Sequence, residues 1–478
     1  MGGATFGGIP TSCDTAVREP LQWISLAYVL LSVLIAVHVL KKRGQTHVGC
    51  QLAFLAAFWI IYLAGPLVYL VPGYCGPSPE FEVPGALVCL YGLAGFAVGS
   101  VFLSKLFRIR PLKDAGPAVA VPSGLRNKLL ILGMTFLVCT RLGAVLPGLQ
   151  SIFSGGQQLM GVAAVLNIWE AARLKEYRKV VLWTGLSFIF PLETIVNEGF
   201  FSFGLLLQAP VLVFAATCIG KRNYFRVGVF SMVGIYLGLS LFVTYFRDRE
   251  EIRALSGGRM SSRLERVTQT FENFELFSIQ KPKHLDPISG RLNQALFVGA
   301  GVSYMQTTQG WAHGSTLVTA ALHIVPRILW KDKPWSGGSS LLTQYTGLVF
   351  SEGTTFAMGQ VLELYVNFGP WMVFFGYVVM GALVARMDVA GSNALKTGNF
   401  QTFLYCFLIA QAIQNVGNDF IFSTGNSATG IVLVYGLQMF MRLKSRRLAA
   451  SGHQPYHSPT HWPPSAPGYV DRYTPTSY

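Results

Sequence analysis

Charge is what this chain has little of. Asp, Glu, Lys and Arg together make up 12% of its 478 residues, about half the share of an ordinary soluble domain. With 51% of residues hydrophobic, that scarcity excludes a conventional soluble fold. Acids are scarcer still, 22 against 37 bases, which leaves a net charge of +15. No segment matches a nucleic-acid-binding module, so no nucleic-acid partner is expected. In a membrane protein the surplus of Lys and Arg has another cause: basic residues gather in cytoplasmic loops and set orientation.

Other absences narrow the reading further. The seven cysteines are scattered, with no CxxC pair and no metal-ligand spacing, so neither a metal nor a cofactor is expected from them. No glycine-rich phosphate loop sits on a strand–helix unit. A cleavable signal is also missing. Asp14 and Glu19 fall within the first twenty residues, and Lys41, Lys42 and Arg43 follow the first apolar run instead of preceding it. That order predicts a retained first helix with the N-terminus outside. Cys13 and Cys75 then fall on the outer side, where a disulfide is possible.

What the chain does have is apolar runs of about twenty residues, each long enough to cross a bilayer core. The expected fold class is an all-α polytopic membrane protein. Spans are predicted near 21–40, 50–71, 83–104, 129–149, 158–174, 180–197, 201–219, 227–246, 370–387, 400–421 and 429–443, about eleven crossings in all. Basic flanks at Lys41 to Arg43, Lys105 to Arg110, Arg126 and Lys128, Lys175 to Lys179, Lys221 to Arg226 and Lys444 to Arg447 all fall on one side. The C-terminus is therefore cytoplasmic. The 158–174 segment is the shortest and contains Asn167 and Glu170. Gly95 and Gly99, four apart, allow another helix to approach closely.

Four regions follow: a transmembrane bundle over 1–246, a large extracytoplasmic loop over 247–358, further transmembrane helices over 359–448 and a tail over 449–478. The loop opens on the charged run RDREEIRALSGGRMSSRLERV, expected as a solvated helix and turn. Two apolar patches in it, 295–304 and 316–329, are expected to lie on the membrane surface or re-enter it. The tail is rich in Pro, Ser, Tyr and His and is read as disordered and cytoplasmic. Its His453, His457 and His461 would align as ligands on a helix, but Pro455 and Pro459 forbid that helix.

Ionisable groups within a membrane are costly, so each is a functional candidate. Arg141, Glu193, Asn197, Asn418 and Asp419 all fall toward the outer face, and Arg247 and Arg249 follow a helix that ends there. Separate helices thus bring polar groups to the face that carries the loop, although each alone would also suit simple snorkelling. Asp286 and Arg291 lie within that loop, as does the run HIVPRILWKDKPW, with Arg327, Trp330, Lys331 and Lys333 between prolines. Arg and Lys side by side suit a phosphate or diphosphate. The tryptophans suit a headgroup belt or a sugar face. GQVLELYVNFGPW then supplies Glu363, Tyr365 and Asn367. Carboxylates can take a proton from an attacking hydroxyl, and cations can stabilise a departing diphosphate.

The run P-R-x-x-W-x-x-K-P (Pro326, Arg327, Trp330, Lys333, Pro334), followed by E-x-Y-x-N-F-G (Glu363, Tyr365, Asn367, Phe368, Gly369), resembles the bacterial oligosaccharide repeat-unit polymerases, the O-antigen polymerase-like (Wzy-type) family. The many-helix layout with one large outer loop is similar too. The resemblance implies a GT-C-like membrane glycosyltransferase of the bacterial cytoplasmic membrane. It would join undecaprenyl-diphosphate-linked oligosaccharide repeats at the outer face, for O-antigen or exopolysaccharide. It implies no nucleotide sugar and no cofactor, and it admits a flippase and a chain-length regulator as partners. Arg327 would be the chief stabiliser of the leaving group, backed by Arg247, Arg249 or Arg291. Lys333, Trp330, Tyr365, Asn367 and Arg141 would contact diphosphate or glycan. Glu363 would be the first candidate for the base, with Asp286, Glu193 and Asp419 behind it. Three rival readings stand beside this one: a ligase moving finished glycan from the same carrier, a transporter forming no bond, and an acyl-transfer enzyme using a histidine.

Overall fold

The computed structural model describes residues 16–41, 48–103, 119–142, 150–189, 191–192, 201–219, 224–254, 260–325, 338–350 and 356–450. Among them there are helices and turns but no strand. Five helices are long and apolar enough to cross a membrane: Arg18–Leu40, Cys50–Val68, Pro79–Val101, Gln360–Thr397 and Phe420–Phe440. The chain is a helical membrane protein. Gln208–Ile219, Ser231–Arg247 and Phe400–Ile413 are apolar but shorter. The other expected spans become Ser123–Leu142, Gln158–Arg173 and Tyr177–Leu186, none of them among the five. Gln158–Arg173 is buried along most of its length, and Asn167 and Glu170 within it are bonded to neighbouring segments. Asn167 accepts from Arg126 at 2.8 Å, while Glu170 accepts the Val121 amide at 3.0 Å and pairs with Arg173.

The central packing event is glycine against backbone. The Glu82–Val101 helix lies along the Gln360–Thr397 helix so closely that a Cβ on Gly95 would overlap the Phe374 carbonyl, and one on Gly99 the Val378 carbonyl. Gly381 returns the contact against Phe96. Small residues let the two backbones meet and maximise dispersion contact, which replaces the hydrophobic drive that lipid removes. Around this seam sits an aromatic core in which Phe54 stacks on Phe96 at 4.2 Å and Phe58 meets Tyr377 edge-on at 5.6 Å.

The same device draws the 295–304 patch inward. It forms the Gln294–Thr308 helix, where Gly299 abuts the Phe81 carbonyl and Gly85 abuts the Ala295 carbonyl. Its interior residues are buried, because neighbouring helices cover it as lipid or water otherwise would. The charged run forms the Arg249–Ala254 and Met260–Glu272 helices, in keeping with the solvated helix expected.

The 38-residue helix Gln360–Thr397 is two helices in series. Phe368 (φ −148°, ψ 22°) and Gly369 (φ 75°, ψ −165°) leave helical geometry immediately before Pro370. Proline lacks an N–H and pushes the preceding residue out of the helical region, and Gly369 takes a left-handed φ without strain. At the far end, buried Asp388 accepts the Val48 and Cys50 amides at 2.8 and 3.1 Å and the Gln51 side chain at 3.1 Å. It caps a second span from across the bundle. Cys75 is disulfide-bonded, whereas Cys50, Cys89, Cys139, Cys218 and Cys406 are free; Cys13 lies outside the described residues. The chain from Leu433 onward is a separate unit, helical through Ala450, and the tail beyond lies outside the described residues.

Replacing Gly99 with Leu forces the central helix pair apart. The expected loss is about 1–3 kcal/mol or more, the usual cost of overpacking, read as a lowered Tm in detergent. Gly185→Leu, where a Cβ meets nothing within 4 Å, serves as the neutral control.

Candidate functional site

The first turns of the Gln360–Thr397 helix place Gln360, Glu363 and Asn367 on one face at helical spacing. All three are buried. The partner of that face is a break in the chain, Gln414 to Asp419, between the Phe400–Ile413 and Phe420–Ala450 helices. A non-helical stretch among apolar helices must satisfy its own polar groups, and side chains from elsewhere do so. Tyr62 donates to the Val416 carbonyl at 2.8 Å, Gln294 to Gly417 at 2.7 Å and Gln360 to Ile413 at 3.0 Å.

Two carboxylates meet where helicity resumes. Asp419 caps the Phe420–Ala450 helix through the Phe422 amide at 2.9 Å. Glu363 takes the Phe420 amide at 2.6 Å. The partial positive charge of the helix N-terminus helps hold both.

A third element is strapped on top. Gly314 donates its amide to Asn367 Oδ1 at 2.6 Å, and Asn367 Nδ2 donates to Thr316 at 2.7 Å. Ala312 donates to the Val366 carbonyl at 2.9 Å, and Trp311 lies 5.8 Å from Tyr365, ring to ring. From the other side Thr424 donates to the Ala320 carbonyl at 2.8 Å. His323 ends this strap. Its Nδ1 lies 2.9 Å from the Thr319 carbonyl, so Nδ1 carries a proton. It stands within electrostatic reach of Asp419. The strap runs directly into the 326–335 motif.

Sequence reasoning thus named Glu363, Tyr365, Asn367 and Asp419 as candidates, and the fold brings them together. It did not assign His323, Thr316, Gln294 or Gln360. For Gln360 a signal existed, since it shares the helical spacing of Glu363 and Asn367. For the others only the fold reveals the contact. Arg327, Trp330, Lys333 and Glu193 lie outside the described residues. Of Arg141 only its place in the Ser123–Leu142 helix is described.

The remaining candidates form a second group. Arg247, Arg249 and Arg291 line a cleft of about 260 Å³ together with Phe246, Glu250 and Glu251. The Arg291 guanidinium lies 4.8 Å over the Phe356 ring and that of Arg249 5.6 Å over Phe246, as cation–π contacts require. Asp286 is exposed and accepts from Tyr74 at 3.1 Å. Burial lifts the Tyr74 phenol to about 12, so it remains a donor at neutral pH. Asp286 is therefore tied to the segment that carries Cys75, apart from the Glu363 hydrogen bonds.

Arg247 is committed to the loop itself, pairing with Glu275 at 2.7 Å and Asp248 at 3.1 Å. His284 closes the clamp. Ser278 donates its amide to Nδ1 at 3.1 Å, which leaves Nε2–H for Glu275 at 3.2 Å. Arg247 first, and then His284, hold the Glu275 carboxyl below its ordinary range.

No family model, curated protein or solved structure matches this chain. The class therefore rests on the chain's own apolar helices: a membrane protein of helical fold, with a buried carboxylate site at a break between helices.

A depressed carboxyl stabilises the folded state above its unfolded value, about pH 4.3 for Glu, and that contribution fades as pH falls through the folded value. Hydrogen-exchange protection at residues 273–277, taken relative to intrinsic exchange at each pH, should accordingly be high at pH 7 and fall below about pH 4. Glu275→Gln should exchange faster at pH 7 and lose most of that dependence.

Proposed function

We propose that the protein is a membrane glycosyltransferase that polymerises undecaprenyl-diphosphate-linked oligosaccharide repeats at the outer face of a bacterial cytoplasmic membrane. The observation that carries this reading is the strap: the segment leading into the Arg–Trp–Lys motif is hydrogen-bonded to the helix and the helix N-terminus that hold Glu363 and Asp419. The acids for a proton are thereby anchored to the segment that leads, in sequence, into the cations for a diphosphate. The finer topology belongs to the same reading: about eleven crossings, a GT-C-like layout, N-terminus outside and C-terminus inside. The bonded Cys75 supports the outer placement of its segment, since disulfides persist in oxidising compartments.

In this reaction the hydroxyl of the acceptor repeat attacks the anomeric carbon of the donor glycan. The carbon–oxygen bond to the diphosphate breaks as the new glycosidic bond forms. The hydroxyl proton passes to the Glu363–Asp419 pair, and undecaprenyl diphosphate leaves with the bonding electrons. Arg327 and Lys333 counter the charge on that leaving group, and Trp330 and Tyr365 offer stacking faces for sugar. The acceptor is a second lipid-linked repeat, which separates a polymerase from a ligase. A transporter would form no glycosidic bond.

Purified protein given lipid-linked repeats should make a ladder of longer chains. Arg327→Ala should abolish it and leave single-repeat glycolipid, and normal chain length in that variant would sink the reading. Of Glu363→Gln and Asp419→Asn, each keeping an acceptor for its helix amide, the one that removes the base should slow polymerisation about 10²–10⁴-fold without lowering Tm. Transport of intact repeats with no new bond would assign the protein to the transporter class.

A further inference from the structure

The amides that hold the 414–419 break are oriented by what they donate. Gln294 Nε2 faces the Gly417 carbonyl; Gln360 Nε2 faces the Ile413 carbonyl and the Ser423 hydroxyl, at 3.0 and 3.1 Å. Their oxygens must then point the other way. Glu363 likewise commits Oε2 to the Phe420 amide and leaves Oε1. Among the described residues, Gln294 Oε1, Gln360 Oε1, Glu363 Oε1 and Asn415 Oδ1 are buried and accept no hydrogen bond. Thr316, whose hydroxyl oxygen receives Asn367, has one proton to turn toward Glu363, and Gln414 Nε2 is a buried donor with no partner among those residues. Donors there remain fewer than acceptors.

The backbone beside Gln294 Oε1 leaves it room. Gly359 adopts φ 75°, and a Cβ there would run into Gln294 Oε1 and stand 2.8 Å from the Tyr62 hydroxyl. That hydroxyl is itself used, donating to the Val416 carbonyl and accepting the Val361 amide. It is brought into place by a π-helical turn, Trp59–Leu63, a distortion that occurs most often at functional sites.

Buried oxygens in excess of donors, with one carboxylate among neutral amides, are the chemistry of a hard cation of single charge. Among the described residues no group of three or more His, Cys, Asp and Glu could hold a metal ion, which argues against a divalent site. Unwound segments of membrane helices are also where sodium finds oxygen ligands in transporters. We propose that Gln294, Gln360, Glu363 and Asn415 bind a monovalent alkali cation, which ties the 414–419 break to the first turns of the Gln360–Thr397 helix. The site goes beyond the glycosyltransferase reading and does not depend on it.

The test uses the full chain in detergent, prepared in choline chloride, with no lipid-linked substrate present. Radioactive sodium should bind saturably and be displaced by unlabelled sodium but not by choline. Saturating sodium should raise Tm by on the order of 2 °C relative to choline at equal ionic strength. Gln360→Leu should weaken binding at least tenfold. Because that change also removes two hydrogen bonds, Asn415→Asp provides an opposite arm: its added charge should tighten binding. The proposal is overturned if the unaltered protein shows no saturable sodium binding, if choline stabilises it equally, or if magnesium or calcium displaces sodium at lower concentration. None of these results bears on whether the protein forms glycosidic bonds.

Discussion

A backbone that leaves the helix inside an apolar bundle must have every freed N–H and C=O answered by a side chain, because neither water nor lipid will do it. That constraint governs this molecule. The 414–419 break releases carbonyls at Ile413, Val416 and Gly417 and amides at Phe420 and Phe422, and Gln360, Tyr62, Gln294, Glu363 and Asp419 answer them. Four residues from three distant parts of the chain, with the segment's own Asp419, thus hold one short segment. Such an arrangement is rigid, and rigidity is what places two carboxylates beside each other despite their mutual repulsion.

The seam between the Glu82–Val101 and Gln360–Thr397 helices makes this possible. Glycine contacts fix the helix register to the backbone itself, with no flexible side chain between. The Phe368–Gly369 break can therefore redirect the chain without letting the helix drift. Asp388 does comparable work farther along the same helix, where it caps the Cys50–Val68 span. One long helix is pinned by a carboxylate near each end, Glu363 and Asp388, and by glycines between them.

The apolar helices were legible in part, and the glycine spacing as well, because length, apolarity and four-residue spacing are local properties; the span expected over 400–421 ends at Ile413, and the 414–419 break within it was not read. The span expected from Pro370 starts at Gln360 instead, with a break at Phe368–Gly369: proline marks the break but not the helix before it. The candidate site was legible in part. Glu363, Asn367 and Asp419 stand out as polar groups in apolar surroundings, and that signal needs no partner. Gln294 did not stand out, and His323 was read only as a histidine of the outer loop, since their contacts lie more than ninety residues away in sequence. The inward packing of Gln294–Thr308 was hidden for a similar reason. A short apolar helix reads alike whether lipid or protein covers it, and only Gly85 and Gly299 tell the two apart. Arg247, read as backing for a phosphate, also closes a clamp with Glu275, a contact hidden because an acid 28 residues on cannot be paired with it by spacing alone.

The two carboxylates are not equivalent, and their surroundings separate their roles in the proposed reaction. Glu363 is fully buried, with Oε2 held by the Phe420 amide, and its other oxygen belongs to the acceptor-rich side of the break. Asp419 is buried too, yet it faces the strap that leads into the motif, with His323 in reach. In the proposed reaction the motif that follows the strap in sequence supplies the cations, so the acceptor hydroxyl is assigned to the strap side. Asp419, positioned by its cap on Phe422 and backed by the helix N-terminus, is then the better proton acceptor, and Glu363 the group that holds the break in shape. This reverses the order suggested by the motif alone. It also eases an electrostatic conflict: a bare carboxylate pair would repel a diphosphate, whereas here both carboxylates accept backbone amides at a helix N-terminus.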